Sequence, residues 1–418
     1  MTIDRLVVVG ASLAGLRAVE AARKTGFTGS ITLIGAEPHL PYDRPPLSKA
    51  FLDRLDDGSE PERPVFRDAA VFSDELSVDL VLGEPATGLD TNRKIVFVGE
   101  REIGYDALVV ATGADARLIP GTENLAGVLP LRTLDDSLAV RRALDEGART
   151  VVIGAGFIGS EVASSAKKRG VDVTIVEALT TPLVRATGTE MGAAIASLHE
   201  RNGTSLLCGS GVASIEGNST VERVVLQDGT AIPADLVIVG IGVAPNVGWL
   251  EGSGLTLDNG IVCDETLWTG VDGVFAAGDV ANWFNPTTGK RQRMENWTAA
   301  AEQGAAAARN ALDPANAKPY GTVPYFWSDW YDVRIQFVGD PEADEVRLVD
   351  GDVDQPGRWV ALYRAGDRLG GVLTVNGQSD IMKFRGLIMK GAGWDEALEF
   401  AEKRKELHAA KAAEAASV

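Results

Sequence analysis

One pattern occurs twice in this chain and constrains its fold more than any other feature. Residues 6–15 read LVVVGASLAG and residues 150–159 read TVVIGAGFIG. Each is a short apolar run, then glycines and small residues, then a helical periodicity. Such continuous apolar runs suit strands buried on both faces, as in a parallel sheet covered by helices. A second element follows each copy: ALVVATG at residues 107–113 and DLVIVGIG at residues 235–242. The order of start, closing strand, start, closing strand predicts two similar α/β units. GVFAAGDVA at residues 273–281 reads as a further buried strand, and the Ala-rich stretch 298–312 as a helix. Beyond residue 319 aromatic residues cluster, and strand-like alternation appears in VRIQFVG and WVALYRA. The expected fold is α/β, with two Rossmann-like dinucleotide-binding domains and a smaller α+β C-terminal domain.

Length and composition agree with that division. A chain of 418 residues exceeds one ordinary domain. Every apolar run is short and broken by Gly, Pro or charge, so no membrane span is expected. The first residues run straight into a strand and carry no secretory signal pattern. The two cysteines, Cys208 and Cys263, are far apart and in no motif, which suits a reducing cytoplasm. The three histidines have no metal-ligand spacing, and no metal is expected. A net charge of −19 makes a poor nucleic-acid binder, because phosphate contacts need clustered Lys and Arg.

The second glycine turn carries the clearer chemistry. Gly154, Gly156 and Gly159 fit G-x-G-x-x-G between a strand and a helix, with Phe157 and Ile158 inside the turn. The first glycine permits the tight turn, the second lets backbone approach a pyrophosphate, and the third lets helix pack on strand. The next strand, VDVTIVE, ends in Glu177. A carboxylate there accepts from both ribose hydroxyls and repels a 2′-phosphate, which favours NADH over NADPH. In the first turn Gly10, Ala14 and Gly15 are in place, but Ser12 stands at the middle glycine position. Its strand SITLIGAEP ends near Ala36 and Glu37, and only Glu37 can accept from a ribose.

PYDRPPLSKAFL at residues 41–52 follows the first unit. Together with both turns, ATG at residues 111–113, AAGD at 276–279 and FWSD at 326–329, it resembles the ferredoxin-reductase (putidaredoxin-reductase-like) group of FAD-dependent pyridine-nucleotide oxidoreductases. That resemblance implies an FAD-binding domain in two segments, residues 1–113 and 244–319. It also implies an NAD-binding domain at 114–243 and a C-terminal domain at 320–405; the Ala-rich, capless stretch 406–418 is expected to be a fraying tail. It places Gly10, Ser12, Ala14 and Gly15 at the FAD pyrophosphate and Glu37 at its ribose. Arg44, Lys49, Ala86, Ala111, Thr112, Gly113, Arg132, Gly278 and Asp279 are further implied FAD contacts. The backbone N–H of Trp297, at a helix start, is implied to meet the flavin's pyrimidine edge. On the NADH side, Gly242 joins Gly154, Gly156, Phe157, Ile158, Gly159 and Glu177. The implied catalytic set is Lys49 beside the flavin, Glu161 paired with it, and Trp327 where nicotinamide enters.

The implied activity is NADH-dependent ferredoxin reduction. A hydride passes from NADH to FAD, and single electrons pass to a 2Fe-2S ferredoxin that feeds a monooxygenase or a Rieske dioxygenase. Relatives that use thiols carry a cysteine pair, or one cysteine after the second strand, where this chain has Arg44-Pro45-Pro46. Alternatives are a rubredoxin reductase, an NADH oxidase, or a redox-sensing NADH-binding interaction protein resembling apoptosis-inducing factor. An acidic ferredoxin would need a local basic patch. Candidates are Lys290, Arg291 and Arg293, then Lys383, Arg385 and Lys390, and Lys403, Arg404 and Lys405.

Overall fold

The computed structural model describes residues 3–55, 59 and 61–416. Two compact units result: residues 1–44, 62–115 and 243–322 in the first, and 45–61, 116–242 and 323–418 in the second. The first is built on a parallel sheet in the order Val274–Ala276, Ala107–Val110, Arg5–Val9, Ser30–Gly35, Val78–Leu82. Leu6 to Val9 are buried on both faces, as the unbroken apolar run requires. Helix Leu13–Lys24 packs against helix Trp297–Leu312. Gly304 allows their backbones to touch, since a Cβ there would lie 2.1 Å from the Ala14 carbonyl oxygen. Ala86 begins strand Ala86–Asp90 of an antiparallel hairpin, and its side chain packs on the core.

The second unit repeats the parallel design with strands Ser205–Cys208, Val173–Glu177, Thr150–Ile153, Leu236–Val239 and Val128–Leu129. Its C-terminal part is a five-stranded antiparallel sheet, in the order Tyr325–Trp330, Val333–Gly339, Arg368–Val375, Trp359–Ala365, Glu345–Asp350. Helices Gln378–Met389 and Trp394–Ala416 follow it. Among the described residues no helix is long and apolar enough to cross a membrane.

Two boundaries differ from the sequence expectation. Residues 45–61 group with the second unit rather than continuing the first domain to residue 113. Side chains of the second unit satisfy this segment's carbonyls. Ser137 donates to Leu47 O at 2.7 Å, Arg141 to Phe51 O at 3.1 Å and Arg169 to Leu52 O at 2.6 Å, while Leu52 joins that unit's core. The expected tail is helical as far as Ala416, and residues 417–418 lie outside the described residues. Alanine is the best helix former, and His408 ties this helix down by contacting the Asp380 carboxylate at 2.7 Å.

Asp380 is fully buried and also accepts from Arg358 and Arg404, each at 2.6 Å. His199 is fully buried too, stacked on Trp330 at 4.9 Å, with ring nitrogens 2.7 Å from the Tyr331 hydroxyl and 3.0 Å from Ser160 Oγ. Burial pushes its pKa down to about 4, so the ring is neutral. Burial favours the protonated form of Asp380, but His408, Arg358 and Arg404 outweigh it and hold the pKa below the ordinary value. Both groups bind protons more readily when unfolded, so both contribute stability that is full above their unfolded pKa values and lost on acidification. Thermal stability is expected to fall in two stages as the pH is lowered. The first runs from about pH 6.5 to about 4 as His199 is forced to charge, at roughly 3 kcal/mol. The second lies below about pH 4, where Asp380 is protonated. A melting temperature flat between pH 7 and 5 would contradict the first stage. Asp380→Asn should cost about 3–5 kcal/mol at neutral pH by removing the buried charge that Arg404, Arg358 and His408 share, even though Arg358 keeps its pairing with Asp350.

Candidate active site

The two glycine turns have the same backbone requirement. Gly10 has φ +118, and a Cβ on it would lie 2.0 Å from the Ala111 carbonyl oxygen; one on Gly15 would lie 1.9 Å from Gly10 O. In the second turn, Gly154 has φ +100 and its Cβ would lie 2.4 Å from Gly240 O, while that of Gly159 would lie 2.3 Å from Gly154 O. Packing alone therefore demands these four glycines. Gly156 is different: a Cβ there meets nothing within 4 Å. It caps helix Phe157–Lys168 in extended conformation, so open space faces a helix N-terminus with its unpaired N–H groups. The cradle fits a dinucleotide pyrophosphate.

Glu177 sits at the edge of this cradle. Its carboxylate accepts from Ala155 N and Leu179 N, each at 2.9 Å, which fixes it beside the turn. Ile158, Leu179 and Ile241 are large apolar side chains left exposed, Ile158 in the helix that Gly156 caps, Leu179 two residues past Glu177 and Ile241 just past the closing strand. The sequence reading had included Ile158 but missed Leu179 and Ile241, whose only signal is their adjacency to Glu177 and to the closing strand. Gly242 has φ +95 and faces open space, whereas the Phe157 ring packs on Phe326 at 4.6 Å.

In the first turn Ser12 caps helix Leu13–Lys24 without a side-chain cap bond. Arg44 connects it to the acid: Nε approaches Ser12 Oγ at 3.4 Å and Nη2 donates to Glu37 Oε1 at 2.7 Å. Tyr42 donates to Glu37 Oε2 at 2.6 Å, a support the sequence reading missed although it lies within the recognised segment. Glu37 is thus the acid held at this turn, and Ala36 is exposed. Asp279, in the turn Gly278–Val280, is close enough for its charge to act on Arg44. Gly278 has φ +76, and its Cβ position lies 3.1 Å from Ala14 Cβ. Thr112 Oγ1 donates to Asn246 O at 3.0 Å, between buried Ala111 and Gly113 at φ +66. Trp297 opens its helix and donates its indole N–H to Asp43 Oδ1 at 2.8 Å. The turn, Arg44 and Asp279 fit the polar part of FAD.

The remaining candidates lie in the second unit. Lys49 Nζ is 2.8 Å from Glu161 Oε2, with the carboxylate side chain only 4% exposed. Ser48 donates to Glu161 Oε2 at 2.5 Å, and Ser328 donates to Oε1. A cleft of about 240 Å³, lined in part by Ser165, Lys168, Asp329 and Arg334, opens beside Lys49. Trp327 does not join this cluster. It neighbours Ser328 in an extended strand, so its side chain takes the opposite face, where it stacks on Tyr325 at 5.8 Å. Arg132 precedes helix Leu134–Asp145, its backbone N–H donating to Asp136 at 3.0 Å.

Neither thiol is activated. Burial pushes the Cys263 thiol far up, and burial, then Glu177 and Glu200, raise that of Cys208. The thiolate is the reactive form. Several candidate docking arginines are also committed internally. Arg291 donates to Cys263 O at 2.6 Å and Asn282 O at 2.9 Å. Arg293 bonds Asp279 O at 3.0 Å and Glu295 at 2.6 Å, Arg385 bonds Val323 O at 3.2 Å, and Arg404 holds Asp380. Lys290, Lys383, Lys390, Lys403 and Lys405 are exposed.

Residues 4–304 match the pyridine nucleotide-disulphide oxidoreductase family, and residues 325–410 match the reductase C-terminal family. The chain belongs to the pyridine nucleotide-disulphide oxidoreductase family. Rhodocoxin reductase of Rhodococcus erythropolis is 37% identical over 92% of this chain and 89% of that protein. The ferredoxin–NAD(+) reductase component of the biphenyl dioxygenase system of Paraburkholderia xenovorans is 39% identical, over 87% of each. The structure of the covalent putidaredoxin reductase–putidaredoxin complex matches with a TM-score of 0.88 at 31% identity, covering 97% of this chain and all of that one. The group this family binds at its two turns is FAD at one and NAD(H) at the other.

The glycine geometry separates packing from binding. Gly156→Ala should keep the melting temperature within a degree or two of wild type and raise the NADH KM. Gly154→Ala, strained in φ and in collision with Gly240 O, should lower the melting temperature by several degrees. Equal destabilisation by both would show that Gly156 serves packing.

Proposed function

We propose that this chain is an FAD-dependent NADH:ferredoxin reductase that feeds a monooxygenase or a Rieske dioxygenase from the cytoplasm. One observation carries the reading. The chain has both dinucleotide turns and a half-buried Lys49 paired with the buried Glu161 carboxylate, yet has no activated thiol through which to pass electrons. Bound FAD would supply the chemistry, taking a hydride from NADH and releasing electrons singly.

The side chains hold and orient. In this reading the first unit, with residues 1–44, 62–115 and 243–322, is the FAD-binding domain, and residues 116–242 bind NADH. Gly10, Ala14 and Gly15 admit the pyrophosphate, and Ser12 and Arg44 donate to it. Glu37 accepts from the ribose. Ala86, Ala111, Thr112, Gly113, Gly278, Asp279, Arg132 and the Trp297 N–H complete the FAD contacts. Gly154, Gly156 and Gly159 form the NADH cradle with Phe157, Ile158 and Gly242, and Glu177 selects a free ribose. Lys49, held by Glu161, brings a fixed positive charge to the reacting rings, where it favours charge that develops in the transition state. Trp327 offers its ring at the nicotinamide entrance.

The relatives named above for electron-transfer systems support an iron–sulfur ferredoxin as acceptor. Lys383, 3.9 Å from the Asp380 carboxylate, and Lys390, both exposed and on or just past helix Gln378–Met389, are the basic groups taken to meet an acidic one.

Anaerobic titration tests the reading. The purified protein should be yellow and should bleach rapidly with NADH and poorly with NADPH. A colourless protein, or one that NADH leaves oxidised, would overturn it. Glu177→Gln should narrow the preference by roughly tenfold, the worth of a charged hydrogen bond. Lys383→Glu with Lys390→Glu should raise the KM for ferredoxin, more so at low salt, with no change in NADH-driven bleaching. An unchanged KM would remove these lysines from the docking surface. Arg291→Glu should instead lower thermal stability, since its guanidinium bonds two carbonyls.

A further inference from the structure

The Glu161 carboxylate has more donors than an ion pair needs, and their arrangement is specific. Ser48 and Lys49 approach Oε2, and Ser328 alone among the described residues approaches Oε1. Ser328 is fully buried in strand Tyr325–Trp330. Its oxygen also accepts the Trp330 indole N–H at 2.8 Å. Indole nitrogen can only donate, so it occupies an acceptor site on Ser328 Oγ and leaves the single hydroxyl proton for Glu161. Ser48 is held as well: its carbonyl accepts from Ser165 Oγ at 3.0 Å, on the same helix as Glu161. Only a carboxylate can accept from all three donors at once.

The turn after Trp330 fixes this strand against that helix. Tyr331 and Asp332 both have positive φ, 49 and 70, as a two-residue hairpin loop of this twist requires. Tyrosine rarely adopts such a φ. Here the Tyr331 N–H donates to Ser164 Oγ at 2.7 Å, and Asp332 pairs with Lys168 at 2.9 Å. Ser164 and Lys168 belong to the helix that carries Glu161. The hydroxyl is thus delivered to the carboxylate by a clamped turn.

We propose that Ser328, oriented by Trp330 and seconded by Ser48, is a positioning residue for the Lys49–Glu161 pair. It fixes the carboxylate so that the lysine charge stays in one place through the reaction. The proposal rests on the function proposed above only for its kinetic consequence; the anchoring itself is a property of the chain.

The test compares wild type, Ser328→Ala and Ser328→Thr as FAD-loaded full-length proteins. Anaerobic stopped-flow at saturating NADH should show bleaching slowed roughly 10- to 100-fold in Ser328→Ala, with little change in the NADH concentration at half-maximal rate. Ser328→Thr, which keeps the hydroxyl, should recover most of the rate. Crystal structures of both variants give a readout independent of turnover: the Lys49 Nζ–Glu161 contact should be lost or split between rotamers in Ser328→Ala and kept in Ser328→Thr. An alanine variant with wild-type rate and an intact contact would overturn the proposal. So would a threonine variant as slow as alanine, because volume rather than the hydroxyl would then matter. If NADH fails to bleach the wild type, the functional reading fails, and the contact in the crystals still decides the anchoring.

Discussion

The second unit is organised around a carboxylate buried away from water. An isolated charge in the position of Glu161 would cost several kcal/mol in desolvation, and its retention requires donors with good geometry. The chain supplies them from segments far apart in sequence: Ser48 and Lys49 before the second glycine turn, and Ser328 after it. Lys49 also donates to the Pro45 carbonyl at 3.2 Å, but the carboxylate's donors all come from distant segments. Satisfying the charge therefore ties Ser48 and Lys49 and the first strand of the C-terminal sheet to one helix, Phe157–Lys168. The same helix begins at Gly156, so the group that holds the lysine and the cradle that faces open space share one rigid element.

The two glycine turns show how one motif serves two ends. Gly10, Gly15, Gly154 and Gly159 are dictated by collisions of their own backbones, whatever the turn binds. The middle position is sterically free, which explains how the first turn tolerates Ser12. A side chain there costs the fold nothing, and its hydroxyl lies next to Arg44 and, through it, to Glu37. In the sequence Ser12 departs from the glycine pattern yet stands as an expected pyrophosphate contact. In the structure it is one part of a small polar group that glycine could not have joined.

Most of the architecture was legible because it rests on local physics. Buried runs such as LVVV and TVVI can only be central strands, and each glycine turn predicts the helix that follows it. Family resemblance found Lys49 and Glu161, and the structure pairs them at 2.8 Å. Less legible were features set by hydrogen bonds between distant segments. Nothing in PPLSKAFL says that its carbonyls will be met by Ser137, Arg141 and Arg169. Arginine is ambiguous for the same reason. Arg291 and Arg404 read as surface charge in a sequence, yet each forks onto buried acceptors. One signal was present and unused: in FWSDW a period of two puts Phe326, Ser328 and Trp330 on one face and Trp327 on the other.

Disulphide-reducing members of such a family need a thiolate, and here both thiols are held in their neutral forms, Cys263 by burial and Cys208 by burial and neighbouring carboxylates. Strand Tyr325–Trp330 makes different contacts on its two faces. One face delivers the Ser328 hydroxyl to the buried Glu161 carboxylate, with the Trp330 indole N–H donating to that hydroxyl's oxygen, and the other carries Trp327 stacked on Tyr325. A protein that needs one face of a strand immobile and the other available gains from clamping the turn between them. The strained pair Tyr331–Asp332 does this, its cost offset by bonds to Ser164, Thr204 and Lys168. The rigidity serves the charge inside, and the aromatic face outside is held still as a consequence.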